Sequence, residues 1–324
     1  MSRTPVELIA PDISRWAAGN TGVPYVWQFD SGRPGPQVLV QALTHGNEIC
    51  GAIALDWFLA EKIMPEKGKL TVLFGNLAAF ARWDPANPEA SRYVDEDFNR
   101  IWADDYLHSS RTSVEIERGR LIQPFVDAAD FVLDIHSMRE PCAALMVCGT
   151  TGRGADKAVA MSMRMGVPKY LMFDTGHPAG LRMIERGDFA DPKSPKVALL
   201  IECGQHWEKT SADVAKETLL RFLRETGTLS PKTVAPHLNP ALVCHDHQVI
   251  EVTEAVVAKS TEFRFEKPYC GLEVIEKKGD PIAYNGDEIV RAPYDNTVLI
   301  MPAVAKQWKI GTTMVRFGRL IKAS

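Results

Sequence analysis

Between residue 37 and about residue 230, short runs rich in branched and aromatic residues alternate with longer segments of helical apolar spacing, and few folds suit that rhythm. QVLVQALTH (37–45), KLTVLFGNL (69–77), FVLDIHS (131–137), ALMVCGT (144–150), PKYLMFDTG (168–176) and KVALLIECG (196–204) read as strands. ICGAIALDWFLAEKI (49–63), SVEIERGRLIQPFVDAA (113–129), GADKAVAMSMRMG (154–166) and SADVAKETLLRFLRETG (211–227) read as helices. Strands and helices in alternation predict an α/β unit, a mixed and largely parallel central sheet flanked by helices. After Gly227 the texture changes. TLSPKTVAPHLNP (228–240) is a Pro-rich bridge into short strand-like pieces such as HQVIEVTEAVVA (247–258), EIVRA (288–292), TVLIM (297–301) and TMVRFGRL (313–320). At 324 residues the chain exceeds the usual size of a single core. An α/β domain over 1–230 and a smaller β-rich domain over 231–324 are therefore expected.

Charge narrows the function. Thirty-seven Lys and Arg stand against 41 Asp and Glu, a net charge of -4 spread without long runs. That balance argues against nucleic acid and anionic membrane surfaces and favours small solutes. The N-terminal stretch lacks a continuous apolar segment, and no run reaches the ~18 uncharged apolar residues of a membrane span. Cys50, Cys142, Cys148, Cys203, Cys244 and Cys270 form no C-x-x-C pair and read mostly as reduced, buried apolar side chains, which suits the cytoplasm.

Four polar residues sit where apolar runs stop: His45 and Glu48 in THGNE, His136 in DIHS and Glu202 in IECG. His and Glu three residues apart at a strand-to-helix turn can face one cation. A third ligand from a distant strand completes a zinc shell with a position open for water. Gly46 is expected to turn the chain sharply after His45, with a helix starting near Ile49 to hold Glu48. The H-x-x-E spacing alone carries little, since eight histidines give roughly half a chance match in such a chain; its position at a strand end gives it weight. Taken singly, His136 reads as a hydrogen-bonded structural residue, Glu48 as a helix N-terminal carboxylate and Glu202 as half of an ion pair. Asp134, two residues before His136, shares its side of the strand and is a candidate acceptor for a ligating imidazole. Glu202, at the end of an apolar run, is the candidate base. The irregular stretch 78–113 is long enough to line a site, and its segment SRYVDEDFNRIW carries Arg92, Asn99 and Arg100. Two guanidinium groups beside an amide suit capture of a substrate carboxylate and polarisation of a scissile carbonyl.

These residues resemble the motifs of the succinylglutamate desuccinylase/aspartoacylase family, a branch of the zinc carboxypeptidase-like hydrolases. HGNE is similar to its H-G-x-E motif, RYVDEDFNR to its R-Y-x-D-x-D-x-N-R segment, DIHS to its D-x-H motif and IECG to its E-x-G motif, all in the family's order. The resemblance implies one Zn2+ per chain held by His45, Glu48 and His136, with Glu202 as the base that activates water. It assigns Arg92 to the oxyanion and Asn99 and Arg100 to a substrate carboxylate. It also implies a C-terminal domain over the cleft and a small N-acyl amino acid or related amide as substrate. Homo-oligomerisation is left open. The sequence departs from the pattern at Pro192, where the family has an arginine about ten residues before the base. Arg182 and Arg186 are candidate substitutes, and Trp308 lies near the place of the family's pocket tyrosine.

A metallocarboxypeptidase or an ester hydrolase with the same metal site, and a binding module that keeps only the fold, are the competing readings. GTTGRG (149–154) lacks the Gly-Lys-Ser/Thr of a phosphate loop, and no G-x-S-x-G elbow is present. Cys244, His245, Asp246 and His247 are consecutive, alternate in direction along a strand, and read as a surface or structural feature.

Overall fold

Alternation along each strand divides its side chains between two buried layers. Val38 and Val40 fall in one apolar cluster and Leu39 in another, as do Leu199 and Ile201 against Ala198 and Leu200. The computed structural model describes residues 5–303 and 308–321. Its first seven strands are β1 (Val26–Asp30), β2 (Gln37–Ala42), β3 (Lys69–Phe74), β4 (Phe131–Met138), β5 (Leu145–Thr150), β6 (Tyr170–Asp174) and β7 (Val197–Gln205). β3, β2, β4 and β7 are parallel neighbours in that order; β1 closes one edge antiparallel to β3, while β5 pairs antiparallel with β7 and parallel with β6. The longer helices are α1 (Ile49–Ala60), α2 (Val114–Ala128), α3 (Ala155–Met165) and α4 (Lys209–Glu225). Residues of α1, α3 and α4 pack in the first cluster. The second joins α2 to Phe98, Ile101 and Trp102 of the long loop.

The remaining strands are β8 (Gln248–Val257), β9 (Phe263–Phe265), β10 (Val274–Ile275), β11 (Pro281–Asn285), β12 (Glu288–Arg291), β13 (Thr297–Ile300) and β14 (Thr313–Ile321). β8 adds in parallel to β6, with Tyr170 opposite Gln248, and β14, β13 and β10 follow antiparallel. Strands from both sides of the Pro-rich bridge thus share one eleven-stranded sheet. β9, β11 and β12 form a separate three-stranded antiparallel sheet over their own apolar cluster. The mixed α/β architecture matches the sequence expectation. Among the described residues, no helix is long and apolar enough to cross a membrane.

The sheet positions the site through the carboxyl ends of β2, β4 and β7, which lie side by side with Ala42 opposite Ile135 and His136 opposite Glu202. Crevices at such ends are where open α/β sheets take ligands. Helix α1 seats close to this edge because Gly51 has no side chain. A Cβ there would stand 2.9 Å from both Ala42 Cβ and Ile135 Cγ2. Gly51→Val should therefore push α1 off the sheet and lower unfolding free energy by about 1–3 kcal/mol, the usual cost of overpacking. Urea denaturation of the two proteins compares them directly, and an unchanged midpoint would contradict this account.

Candidate metal centre and active-site pocket

His45 leaves β2 through Leu43, whose φ of +60° swings the chain out of the strand. Gly46 then meets a different demand from the turn expected of it. A Cβ at Gly46 would come within 2.4–2.5 Å of backbone atoms of Ala79, Phe80 and Ser91, so glycine is required by close packing. Its N–H donates to Arg92 O at 3.1 Å, tying the His45 segment to the long loop. Glu48 is the N-cap residue of α1, yet its side chain makes no capping bond. Instead Glu48 Oε1 lies 2.8 Å from His45 Nδ1, and Oε2 lies 2.9 Å from His136 Nδ1 and accepts from Ser137 N at 3.2 Å.

One ligand atom from each of His45, Glu48 and His136 lies within 4.8 Å of the others, and all three residues are buried. Two imidazoles and a carboxylate are the donor set of three-ligand zinc sites. Burial would raise the Glu48 carboxyl, but the charges of His45 and His136 outweigh it and hold it well below the usual carboxylate range. His136, which burial would lower, is raised well above its usual value by Asp134 and Glu48. Anionic and imidazole groups that share protons in this way fit a divalent cation, which takes the protons' place.

The far nitrogen of each imidazole meets a carboxylate. His136 Nε2 lies 2.8 Å from Asp134 Oδ2, and Asp134 Oδ1 accepts from Thr44 Oγ1 at 2.7 Å, which accepts from Gln41 Nε2 at 2.6 Å. His45 Nε2 lies 3.0 Å from Asp97 Oδ1. For His136 the Asp134 contact favours the tautomer with Nε2 protonated, which leaves Nδ1 facing Glu48; His45 Nε2 also lies 3.1 Å from Arg92 Nη2. Asp134 was anticipated from its spacing. Asp97 is not singled out by the sequence reading, although its place two residues before Asn99 was the available signal. The loop itself is organised by fully buried Glu115 of α2, which accepts from Val94 N, Asp95 N, Glu96 N and Asn76 Nδ2 at 2.7–3.3 Å.

Glu202 points to the same side, and its Oε2 is buried without a hydrogen-bond partner among the described residues. Burial pushes its carboxyl up to about 8, with the Glu48 charge adding to the effect; a bound cation would draw it down again. The cavity of about 320 Å³ beside it is lined by His45, Glu48, Arg92, Asn99, Arg100, His136 and Glu202, so all seven predicted site residues border one space. Arg92 reaches Glu48 Oε1 at 3.2 Å and Asp97 Oδ2 at 3.5 Å. Asn99 Oδ1 accepts from Met183 N, which leaves its amide nitrogen for a ligand. Residues of the C-terminal part, including Gly271, Ile300, Thr313 and Arg316, complete the wall.

Of the two candidate substitutes for the missing arginine, Arg182 borders the cavity and Arg186 does not. Arg186 bonds Asp127 and Trp102 O, drawn away by a carboxylate on α2. Trp308 also lies elsewhere, against Phe263 with its Nε1 on Ser260 O. Sequence reasoning missed Arg316 of β14 and His206, whose Nδ1 lies 2.8 Å from Ser137 Oγ and which burial lowers to about 3, keeping it neutral. Cys244 to His247 join no metal-binding group among the described residues; His247 Nδ1 bonds Pro168 O. All six cysteines are free, three of them buried.

The model of the succinylglutamate desuccinylase/aspartoacylase catalytic domain matches residues 34–226. A probable aspartoacylase of Parasynechococcus marenigrum (strain WH8102) is 32% identical over 146 residues, 41% of this chain and 45% of that protein. An N-acyl-aromatic-L-amino acid amidohydrolase (carboxylate-forming) of Rattus norvegicus is 29% identical over 133 residues, 36% of this chain and 38% of that protein. The matched segment thus spans less than half of either relative. A crystal structure of a succinylglutamate desuccinylase/aspartoacylase from Rhodobacter sphaeroides shares the fold, with a TM-score of 0.65 at 17% identity, covering 89% of this chain and 87% of that one.

Two substitutions test the scaffold. Asp134→Asn should weaken binding of an added divalent cation at the His45, Glu48 and His136 cluster about 10–100-fold by loosening the His136 ring, read by competition with a chromogenic chelator. Glu115→Ala should lower unfolding free energy by about 2–4 kcal/mol, because it orphans the buried amide of Asn76 and three part-buried backbone N–H groups at once; a thermal or urea melt matching the parent protein would refute it.

Proposed function

Since the chain belongs to the succinylglutamate desuccinylase/aspartoacylase family, we propose that it is a zinc-dependent amidohydrolase that cleaves the amide of a small N-acyl amino acid or related carboxylate-bearing amide. The observation that carries this reading is the meeting of ligand atoms of His45, Glu48 and His136 within 4.8 Å, beside Glu202, whose buried Oε2 has no hydrogen-bond partner among the described residues. His45 Nδ1, a Glu48 oxygen and His136 Nδ1 would hold one zinc ion. Zinc in such a shell supplies a Lewis acid and lowers the pKa of water toward ~7.

The chain's own groups account for the rest. Glu202 takes a proton from the attacking water and returns it to the leaving amine, so that water and amide become a carboxylate and an amine. The Arg92 guanidinium donates to the carbonyl oxygen as negative charge gathers there. Asn99 and Arg100 hold the substrate carboxylate and fix the amide over the metal position. The C-terminal residues that wall the cavity favour small molecules over polypeptides. Six free cysteines accord with a cytoplasmic location.

Glu202→Gln keeps the shape of the base and removes its proton chemistry. The variant should bind zinc at the parent stoichiometry, read by metal analysis, while turnover of N-acyl amino acids falls roughly 10²–10⁴-fold. Full activity with zinc bound would remove Glu202 from the mechanism.

A further inference from the structure

The cavity floor beside Glu202 is apolar. Leu200 lies two residues earlier on β7 and on the same face, Val147 pairs opposite it on β5, and Met172 pairs with Val147 on β6. Ile300 of β13 also lines the cavity, and all four residues are nearly inaccessible to solvent.

The cations around this space are largely taken. Arg182 makes a bidentate pair with Asp174 at 2.6 and 2.9 Å and bonds Glu185 at 2.5 Å, and Arg316 shares Asp174 at 3.1 Å. Two guanidinium groups thus meet two buried carboxylates and balance them. Arg139 pairs with Glu89 and Glu140, and Arg92 with Glu48 and Asp97. Burial, reinforced by Arg100 and Arg316, lowers His177 to about 4, so it adds no charge at neutral pH. Among the described residues lining the cavity, Arg100 is the arginine with no carboxylate in ion-pair reach; its Nη1 donates to Asn99 O.

Resting on the amidohydrolase reading above, we infer that the pocket takes an N-acyl amino acid with a single carboxylate and an apolar side chain, not a dicarboxylic substrate. The lone carboxylate pairs with Arg100 beside Asn99, and the apolar side chain covers Leu200, Val147 and Met172. A second carboxylate would lie against this floor or near Asp174 and Glu140 with its charge unpaired, which binding sites penalise heavily. Arg182 borders the cavity but offers it no unpaired charge, because Asp174 and Glu185 hold it.

The test compares kcat/KM of the zinc-loaded protein for N-acetyl-L-methionine, N-acetyl-L-leucine and N-acetyl-L-phenylalanine with that for N-acetyl-L-aspartate and N-succinyl-L-glutamate. Calorimetry of the same compounds with the metal-free protein supplies a second ranking. The apolar compounds should lead by roughly 10²-fold or more in kcat/KM and bind more tightly. Equal or better use of the dicarboxylates overturns the inference and leaves the amidohydrolase reading standing. No turnover of any N-acyl amino acid with zinc bound overturns that reading and the inference together. Asp174→Asn releases positive charge from Arg182 and Arg316 and should move the aspartate-to-methionine ratio at least about tenfold toward aspartate; Glu185→Gln serves the same purpose should that variant not fold. An unmoved ratio in a folded variant counts against the charge pairing argued here.

Discussion

A carboxylate held between two imidazoles governs this structure. Glu48 touches His45 through one oxygen and His136 through the other, out of water, and neither contact is tolerable unless the rings are themselves anchored. Asp97 and Asp134 provide the anchors from opposite sides. The cluster therefore reaches well beyond three residues: it includes Thr44 and Gln41 behind Asp134, and the whole loop that delivers Asp97.

That dependence explains features that look unrelated. Gly51 lets α1 approach the sheet, and the approach sets the height of Glu48. Gly46 lets the backbone around Ser91 press against the His45 segment, bringing Arg92 over the cluster. Glu115 gathers three consecutive backbone N–H groups of the loop, and Asp97 follows one residue later. A loop with no long secondary structure thus gains one of its main anchors from a buried carboxylate on the adjacent helix.

Much of the fold was legible. VALLIE is apolar on both faces up to Glu202 and QVLVQA is close to it, interrupted by Gln37 and Gln41, as suits strands covered on both sides, and they appear as β7 and β2 respectively. The positions of His45, His136 and Glu202 could be read because a polar residue closing an apolar run marks a strand end, and strand ends are where a sheet exposes chemistry. Arg316 could not be read in this way. It lies on an ordinary-looking strand 114 residues after Glu202, and only the addition of β8 to β6 brings β14 to the cavity. Arg186, equally plausible by position in the sequence, is turned aside by Asp127. Gly46 was assigned the right importance for a different reason, since a close backbone approach leaves no trace in local sequence.

By itself the sequence determined the alternation of strands and helices, the residues able to ligate a metal, and the order in which they leave the sheet, because these follow from side-chain period and residue chemistry along a short stretch. Tertiary structure alone decided which charges remain available. Ion pairs such as Arg182 with Asp174 and Glu185, or Arg316 with Asp174, form between elements whose distance in sequence carries no information. Whether a guanidinium can receive a substrate depends on whether a neighbouring carboxylate has already claimed it, and the folded chain sets that neighbour.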